Sequence, residues 1–214
     1  MDREMMDCTG YAPPPRGRPR EFDLDNALAV ALTLFWERGY EGVSLTDLTE
    51  AMGINRPSLY AAFGNKEALF GKALDRYVSD QLGYVDRALE APTAREVAER
   101  LLKGALAMQK GNAHPKGCLH VINSVACGPE AEAVRAAVLA RETVAKDALT
   151  TRFRRARDEG DLPPDAEPRA ITAYVVAIMQ GVALQGGAGA SHRELKSLID
   201  TSLAMWPGYR EQRR

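Results

Sequence analysis

Residues 44–66, SLTDLTEAMGINRPSLYAAFGNK, encode two short helices joined by a tight turn. Ser44 can accept hydrogen bonds from the unsatisfied N–H groups of a starting helix, and Asp47, three residues on, puts a carboxylate near the positive end of that helix's dipole. Leu45, Leu48 and Met52 recur on one apolar stripe, and Gly53 supplies the left-handed conformation that a sharp turn needs. Asn55 caps the second helix, Pro57 lies in its first turn where a missing N–H costs little, and Leu59 and Phe63 face inward. Arg56, Ser58, Tyr60 and Ala61 remain on the outside. That is the geometry required to lay a helix in a DNA major groove.

Upstream, Leu24, Leu28, Ala31, Leu32 and Phe35 mark one face of a helix running from about Asp23 to Arg38 and stopping at Gly39. Trp36 and Tyr40 are assigned to the core, because aromatic rings there bury large areas. With this helix in place, the run GVSLTDLTEAMGINRPSLYAAFGNKEALF, residues 42–70, resembles the DNA-binding domain of the TetR family of one-component bacterial transcription regulators. The resemblance extends from Phe22 to about Tyr77 and implies a three-helix DNA-binding domain followed by the start of a connecting helix. It implies that Arg56 and Ser58 read base edges, where an arginine can bond bidentately to guanine. It places Thr46, Tyr60 and Lys66 at positions that usually contact phosphate, and Ser44 and Asn55, at the two helix starts, complete the expected DNA-binding set. For Thr46 a merely solvated polar face is the competing reading. Ala61 and Ala62 stand where relatives often carry larger groups.

The segment Pro13 to Arg20, PPPRGRPR, resembles the core of an AT-hook. Extended backbone at Gly17 could let Arg16 and Arg18, with Arg20 behind them, enter a narrow A·T-rich minor groove, whose negative potential favours guanidinium. An ordinary disordered tail fits the same residues, and residues 1–11 carry no periodic pattern.

The chain has 214 residues, 45% hydrophobic and 27% charged, the composition of a soluble globular protein of one or two domains. Its net charge of −1 does not by itself suggest nucleic acid. Local charge does: between Asn55 and Lys72 the charged residues are Arg56, Lys66, Glu67 and Lys72, and the arm adds its arginines. Such a face predicts salt-dependent binding, because phosphate contacts release counterions. Three scattered cysteines, Cys8, Cys118 and Cys127, make no disulfide framework, and the first residues carry charges and prolines, so a cytoplasmic protein is expected. The uncharged run Ala170 to Ser191 is long enough to span a bilayer. Its glutamines and glycines argue instead for a helix buried on several sides, as at a subunit interface.

Beyond Tyr77 no alternating strand pattern and no phosphate-binding glycine loop occurs. Punctuation places a helix from the Thr93–Glu96 capping box to about Lys110, and another from Gly117 to near Gly128. A long helix follows between Pro129 and Gly160, with Glu142 and Lys146 as an i,i+4 pair and Arg154, Arg155 and Arg157 at its end. Pro168 opens the uncharged helix, which ends near Gly187. Ser191 caps the last helix, whose stripe is Leu195, Leu198, Ile199, Leu203 and Trp206. The family resemblance implies that these last two helices form a four-helix bundle with a second subunit. The expected interface residues are Ala177, Met179, Gly181, Val182, Ala183, Gly187, Leu195, Leu198 and Leu203, with the small ones permitting close backbone approach.

The remaining helices are expected to enclose a ligand pocket. A thiol near a helix start, such as Cys118 beside Lys116, is suited to reacting with oxidants or electrophiles, although free cysteine is more often a buried small hydrophobe. His120 lies close in sequence, but two positions apart on a helix would send Cys118 and His120 to different faces, and no ligand spacing supports a metal. The expectation is an all-α protein with an arm at 1–20, a helix-turn-helix domain at 21–66 and a ligand-binding and dimerisation domain at 67–214. It would act as a homodimeric repressor on a palindromic duplex operator, released by a small-molecule inducer, with no cofactor and no membrane. The rival readings are a thiol-dependent redox or detoxification enzyme using Cys118, for which no partnered base can be assembled, and a helical module that does not bind DNA.

Overall fold

The computed structural model describes residues 22–111, 114–125, 128 and 131–207. Arg16, Arg18 and Arg20 of the arm, and Cys8 and Cys127, lie outside the described residues.

Four helices build the N-terminal unit: α1 (Leu24–Arg38), α2 (Leu45–Met52), α3 (Arg56–Phe63) and α4 (Lys66–Gln81). Their ends are set by the residues that the sequence singles out. Asp23 caps α1 by accepting the Asp25 N–H at 2.9 Å. Ser44 and Asp47 form a reciprocal capping box at α2, Gly53 leaves that helix in the left-handed region at φ 66°, and Asn55 Oδ1 accepts the Ser58 N–H at 2.8 Å to start α3. Phe35, Leu48, Leu59, Phe70 and Tyr77 are buried together. Trp36 meets Tyr77 edge-on at 4.8 Å, and half-buried Tyr40 stacks on Phe35, so both aromatics join the core as expected. This core runs past Lys66: α4 packs along α1 through Leu69, Phe70, Ala73, Leu74 and Tyr77, and Leu119, Val134 and Val138 from later elements close it.

The remaining elements are α5 (Gly83–Leu89), α6 (Ala94–Ala107), α7 (Leu119–Val125), α8 (Glu132–Asp158), α9 (Pro168–Gly187) and α10 (His192–Ala204). Only the threonine half of the expected box at α6 forms: Thr93 Oγ1 accepts the Glu96 N–H at 3.2 Å, while the Glu96 carboxylate lies 3.9 Å from Arg100. At α10, Ser191 and Glu194 complete theirs. A second core joins Val97, Leu101, Phe153, Val175, Val182, Leu195, Ile199 and Trp206. Buried Arg152 fastens the α5–α6 corner by donating to the carbonyls of Leu89, Ala91 and Pro92 at 3.2, 2.7 and 3.0 Å. The two cores are tied by Arg141 on α8, whose guanidinium reaches Asp75 on α4 at 2.5 Å.

Candidate functional site

At the N-terminal end, burial of Leu59 and Phe63 fixes which edge of α3 turns outward. Arg56, Pro57, Tyr60 and Ala61 are exposed and Ser58 is half-buried; Tyr60 keeps 48% of its surface open, which solvation of an aromatic ring in a finished core would not leave. Arg56 Nη2 donates to Thr46 Oγ1 at 2.9 Å, so the expected base reader and the expected phosphate contact are held side by side across the α2–α3 turn. Ser44 and Asn55 spend side-chain oxygens on their helix caps. Lys66, in the first turn of α4, lies with Nζ 4.1 Å from the centre of the Tyr40 ring. Partial burial holds its ammonium below the usual lysine range, opposed by the charges of Glu41 and Asp47. The edge can therefore present hydrogen-bond donors and one aromatic ring to an anionic, grooved partner.

In the C-terminal unit a cavity of about 140 Å³ opens among α4, α5, α6, α7, α8 and α9. Its walls are mostly apolar, among them Leu101, Met108, Leu149, Val176 and Met179. Its polar lining includes Tyr77, Tyr84, Cys118 and His120, with the Tyr77 and His120 rings 5.6 Å apart, and Glu142, Lys146 and Gln180, which contact one another. The expectation that Cys118 and His120 point apart is overturned: Cys118 precedes α7, which begins at Leu119, so helical periodicity does not govern it and both residues line one cavity. Cys118 is half-buried on that wall instead of sealed in the core, and accepts the Tyr77 hydroxyl at 3.3 Å, while Lys116 is exposed. Burial pushes the Tyr77 and Tyr84 hydroxyls well above the usual tyrosine range, and it lowers the His120 imidazole to about 4 against the pull of Glu142. All three are uncharged near neutral pH.

Sequence reasoning missed three of these features. Tyr84 enters because Gly104 of α6 has no side chain: a Cβ there would fall 2.1 Å from the tyrosine ring. Gln109 holds Gly117 by both amide ends, accepting its N–H at 2.8 Å and donating to its carbonyl at 3.4 Å, in space left by Gly186. Asn123 of α7 joins the cavity wall to the N-terminal unit by accepting the Tyr40 N–H at 2.8 Å; close by, Glu41 accepts the Gly128 N–H at 2.8 Å. A glycine in mid-helix was the one signal in sequence that could have found the first.

The expected interface residues divide. Val182, Ala183, Leu195 and Leu203 are buried in the protomer's own core, Leu198 packs against it, Met179 lines the cavity, and Gly187 abuts Gly117, where a Cβ would lie 3.5 Å from the Gly117 Cα. The reason is that α9 packs against α6, α8 and α10 of its own chain, which uses one side of a largely apolar helix. Ala177 is exposed and nothing lies within 4 Å of a Cβ on Gly181; with exposed Ala173 and Leu184 they line the opposite side. By length and composition α9 could cross a membrane, but these contacts engage it as a core helix with one uncovered face.

A family model described as bacterial regulatory proteins, tetR family, matches residues 27–73, and one described as tetracyclin repressor-like, C-terminal domain, matches residues 98–201. The chain is 32% identical over 204 residues to the HTH-type transcriptional repressor ComR of Escherichia coli (strain K12), covering 94% of this chain and 97% of that one. It is 29% identical to the repressor BdcR of the same organism, over 84% of this chain and 86% of the relative. Among solved structures, a triple cysteine mutant of the TetR family transcriptional regulator CifR, complexed with 26-base-pair double-strand operator DNA, is 39% identical with a TM-score of 0.84, over 89% of this chain and 100% of that one. Helix order, turn chemistry and these matches agree, and the chain belongs to the TetR family of bacterial transcriptional regulators.

Proposed function

We propose that this chain is a DNA-binding transcriptional repressor, working in the cytoplasm as a homodimer on a palindromic operator and released when a small molecule enters its C-terminal cavity. The observation that carries the reading is the outward edge of α3, where Arg56, Ser58 and Tyr60 stand over buried Leu59 and Phe63. Support comes from the operator DNA named with a structure 39% identical to this chain, and from relatives named as repressors. Arg56 and Ser58 would read bases, with Thr46, Tyr60, Lys66, Ser44 and Asn55 contacting the backbone. Arg16, Arg18 and Arg20 would add minor-groove contacts. Two-fold symmetry of the protein requires two-fold symmetry of the site. The second subunit would dock on the uncovered face of α9, through Ala177 and Gly181.

Gel retardation with the DNA upstream of the protein's own gene, at varied salt, tests this. Tyr60→Ala and Lys66→Ala should weaken binding to all sequences, and Lys66→Ala, which removes a charge, should also flatten the salt slope by about 1 per half-site, whereas Arg56→Ala should also relax discrimination at one base pair per half-site, by about 1–3 kcal/mol. Full operator discrimination by the Arg56 variant would remove it from the reading set, and no specific retardation even at low salt would end the regulator assignment.

A further inference from the structure

The cavity has a composition that selects its occupant. We propose that it takes a small uncharged molecule, an apolar ring or chain of about the bulk of benzene, bearing one hydrogen-bonding oxygen that the Tyr84 hydroxyl meets. This inference rests on the regulator reading only in making that molecule the effector.

Size comes first. The cavity measures about 140 Å³, and an apolar cavity of roughly 150 Å³ holds one benzene. Leu101, Met108, Leu149, Val176 and Met179 supply the apolar contact. The polar contact is already positioned: Tyr84 lines the cavity, and its hydroxyl makes no hydrogen bond among the described residues. Its ring is fixed against Gly104, where no side chain could stand. Tyr84 is half-buried, so its hydroxyl faces the open cavity, where a ligand oxygen can take the place of water.

Charge comes second. Tyr77, Tyr84 and Cys118 line the cavity, the tyrosines as neutral groups, and His120, whose ring lies 5.6 Å from that of Tyr77, has a buried Nε2 without a partner and is neutral near pH 7. The two charged groups of the lining, Glu142 and Lys146, lie 3.3 Å apart, and Glu142 also accepts the Gln180 amide at 2.6 Å. Each is already compensated. An ionised ligand would lose its hydration and find no opposite charge unspent, which is the unfavourable case for burying an ion.

The test is calorimetric titration of the full chain with four probes built on one ring: toluene, benzyl alcohol, benzoate and benzylammonium. Benzyl alcohol should bind about fivefold to tenfold tighter than toluene, the worth of one hydrogen bond, and both ions at least about tenfold weaker than the alcohol. Tyr84→Phe should erase the alcohol's advantage while leaving toluene unchanged, and bound alcohol should slow alkylation of Cys118 by iodoacetamide, read by peptide mass. Equal or tighter binding of either ion, no binding of any probe, an advantage that survives Tyr84→Phe, or an unprotected Cys118 would each overturn the proposal. The probe series on the unaltered chain decides the matter even if the variant does not fold. Operator retardation measured in parallel separates the two readings. DNA binding without probe binding sinks this inference alone, whereas the predicted probe order without DNA binding upholds it and sinks the repressor.

Discussion

Replacing Asn123 with alanine removes the amide that links the cavity wall to the DNA-binding end. The side chain is 1% exposed; its Oδ1 accepts the Tyr40 N–H and its Nδ2 donates to the Leu119 carbonyl, both at 2.8 Å. Tyr40 follows the Gly39 cap of α1 and is itself half-buried, so water replaces the lost acceptor poorly. Stranding such an N–H costs about 1–3 kcal/mol. Taking about 2 kcal/mol, and tenfold for each 1.4 kcal/mol, local opening at Tyr40 should become about 30-fold more frequent. Hydrogen exchange resolved at the Tyr40 amide reads this directly. Ser124→Ala is the control, because its hydroxyl bonds within α7, to the Val121 carbonyl at 3.1 Å, and its loss should leave Tyr40 unchanged. The same variant should respond less to cavity ligand in its operator affinity, since α7 no longer grips the corner after α1. Unchanged Tyr40 exchange in Asn123→Ala would refute the linkage.

The His120 imidazole, lowered by burial to about 4 in the fold, takes a proton in the unfolded chain first, so stability present above pH 6.5 is lost as pH falls toward 4. Between pH 6.5 and 5, chemical denaturation should show a slope of up to about 1.4 kcal/mol per pH unit from this group, which His120→Gln flattens; an identical slope in the variant would contradict the assigned burial. Gly104→Ala drives a Cβ into the Tyr84 ring, with an overpacking cost of about 1–3 kcal/mol partly offset by about 1 kcal/mol of helix propensity. Its melting temperature should fall modestly while benzyl alcohol binding measured by calorimetry is lost, and retained affinity would show the ring to be seated elsewhere. Gly181→Glu meets no protein atom within 4 Å and should leave the protomer as stable or slightly more so, yet bury a charge between subunits; sedimentation should find monomers, and an intact dimer would move the interface off this face.

The N-terminal unit was legible because its signals are local. Ser44, Gly53, Asn55 and Pro57 each act within four residues of themselves, and the helices they bound agree with the spacing of Leu48, Leu59 and Phe63. In α9 the same reasoning lost information. Beyond Arg169 this helix carries no charge to mark its outside, so Val182 and Ala183 could not be told from Ala177 and Gly181 until α6, α8 and α10 were in place. The cavity was harder still. Tyr84 lies against Gly104 and Tyr77 bonds Cys118 across 41 positions, and neither pairing leaves a periodic trace. Cys118 and His120 were found by residue type, but their common orientation depended on α7 starting one residue after the cysteine.

Tyr77 gives the cavity a mechanical hold on the reading edge. Its ring belongs to the N-terminal core, edge-on to Trp36 at 4.8 Å, while its hydroxyl stands on the cavity wall and donates to Cys118. The two attachments differ in strength. Buried aromatic packing is worth far more than a bond to a thiol, which is a weak acceptor. A ligand oxygen anchored on Tyr84 has a second lone pair, which can take over the Tyr77 hydroxyl from sulfur with little net gain in affinity, and Tyr77 cannot follow it without carrying α4 and pressing on Trp36 of α1. Arg141 transmits any shift of α8 to the same helix through Asp75. Coupling of this kind is reciprocal: a ligand that binds the displaced α4 about tenfold better lowers DNA affinity by up to that factor, and operator DNA must weaken the ligand equally. Tyr77→Phe keeps the ring and removes the captured group, so it should bind operator normally in the absence of ligand and release it less completely when ligand is added. A variant that released DNA as fully as the parent chain would show that the signal leaves the cavity by another route.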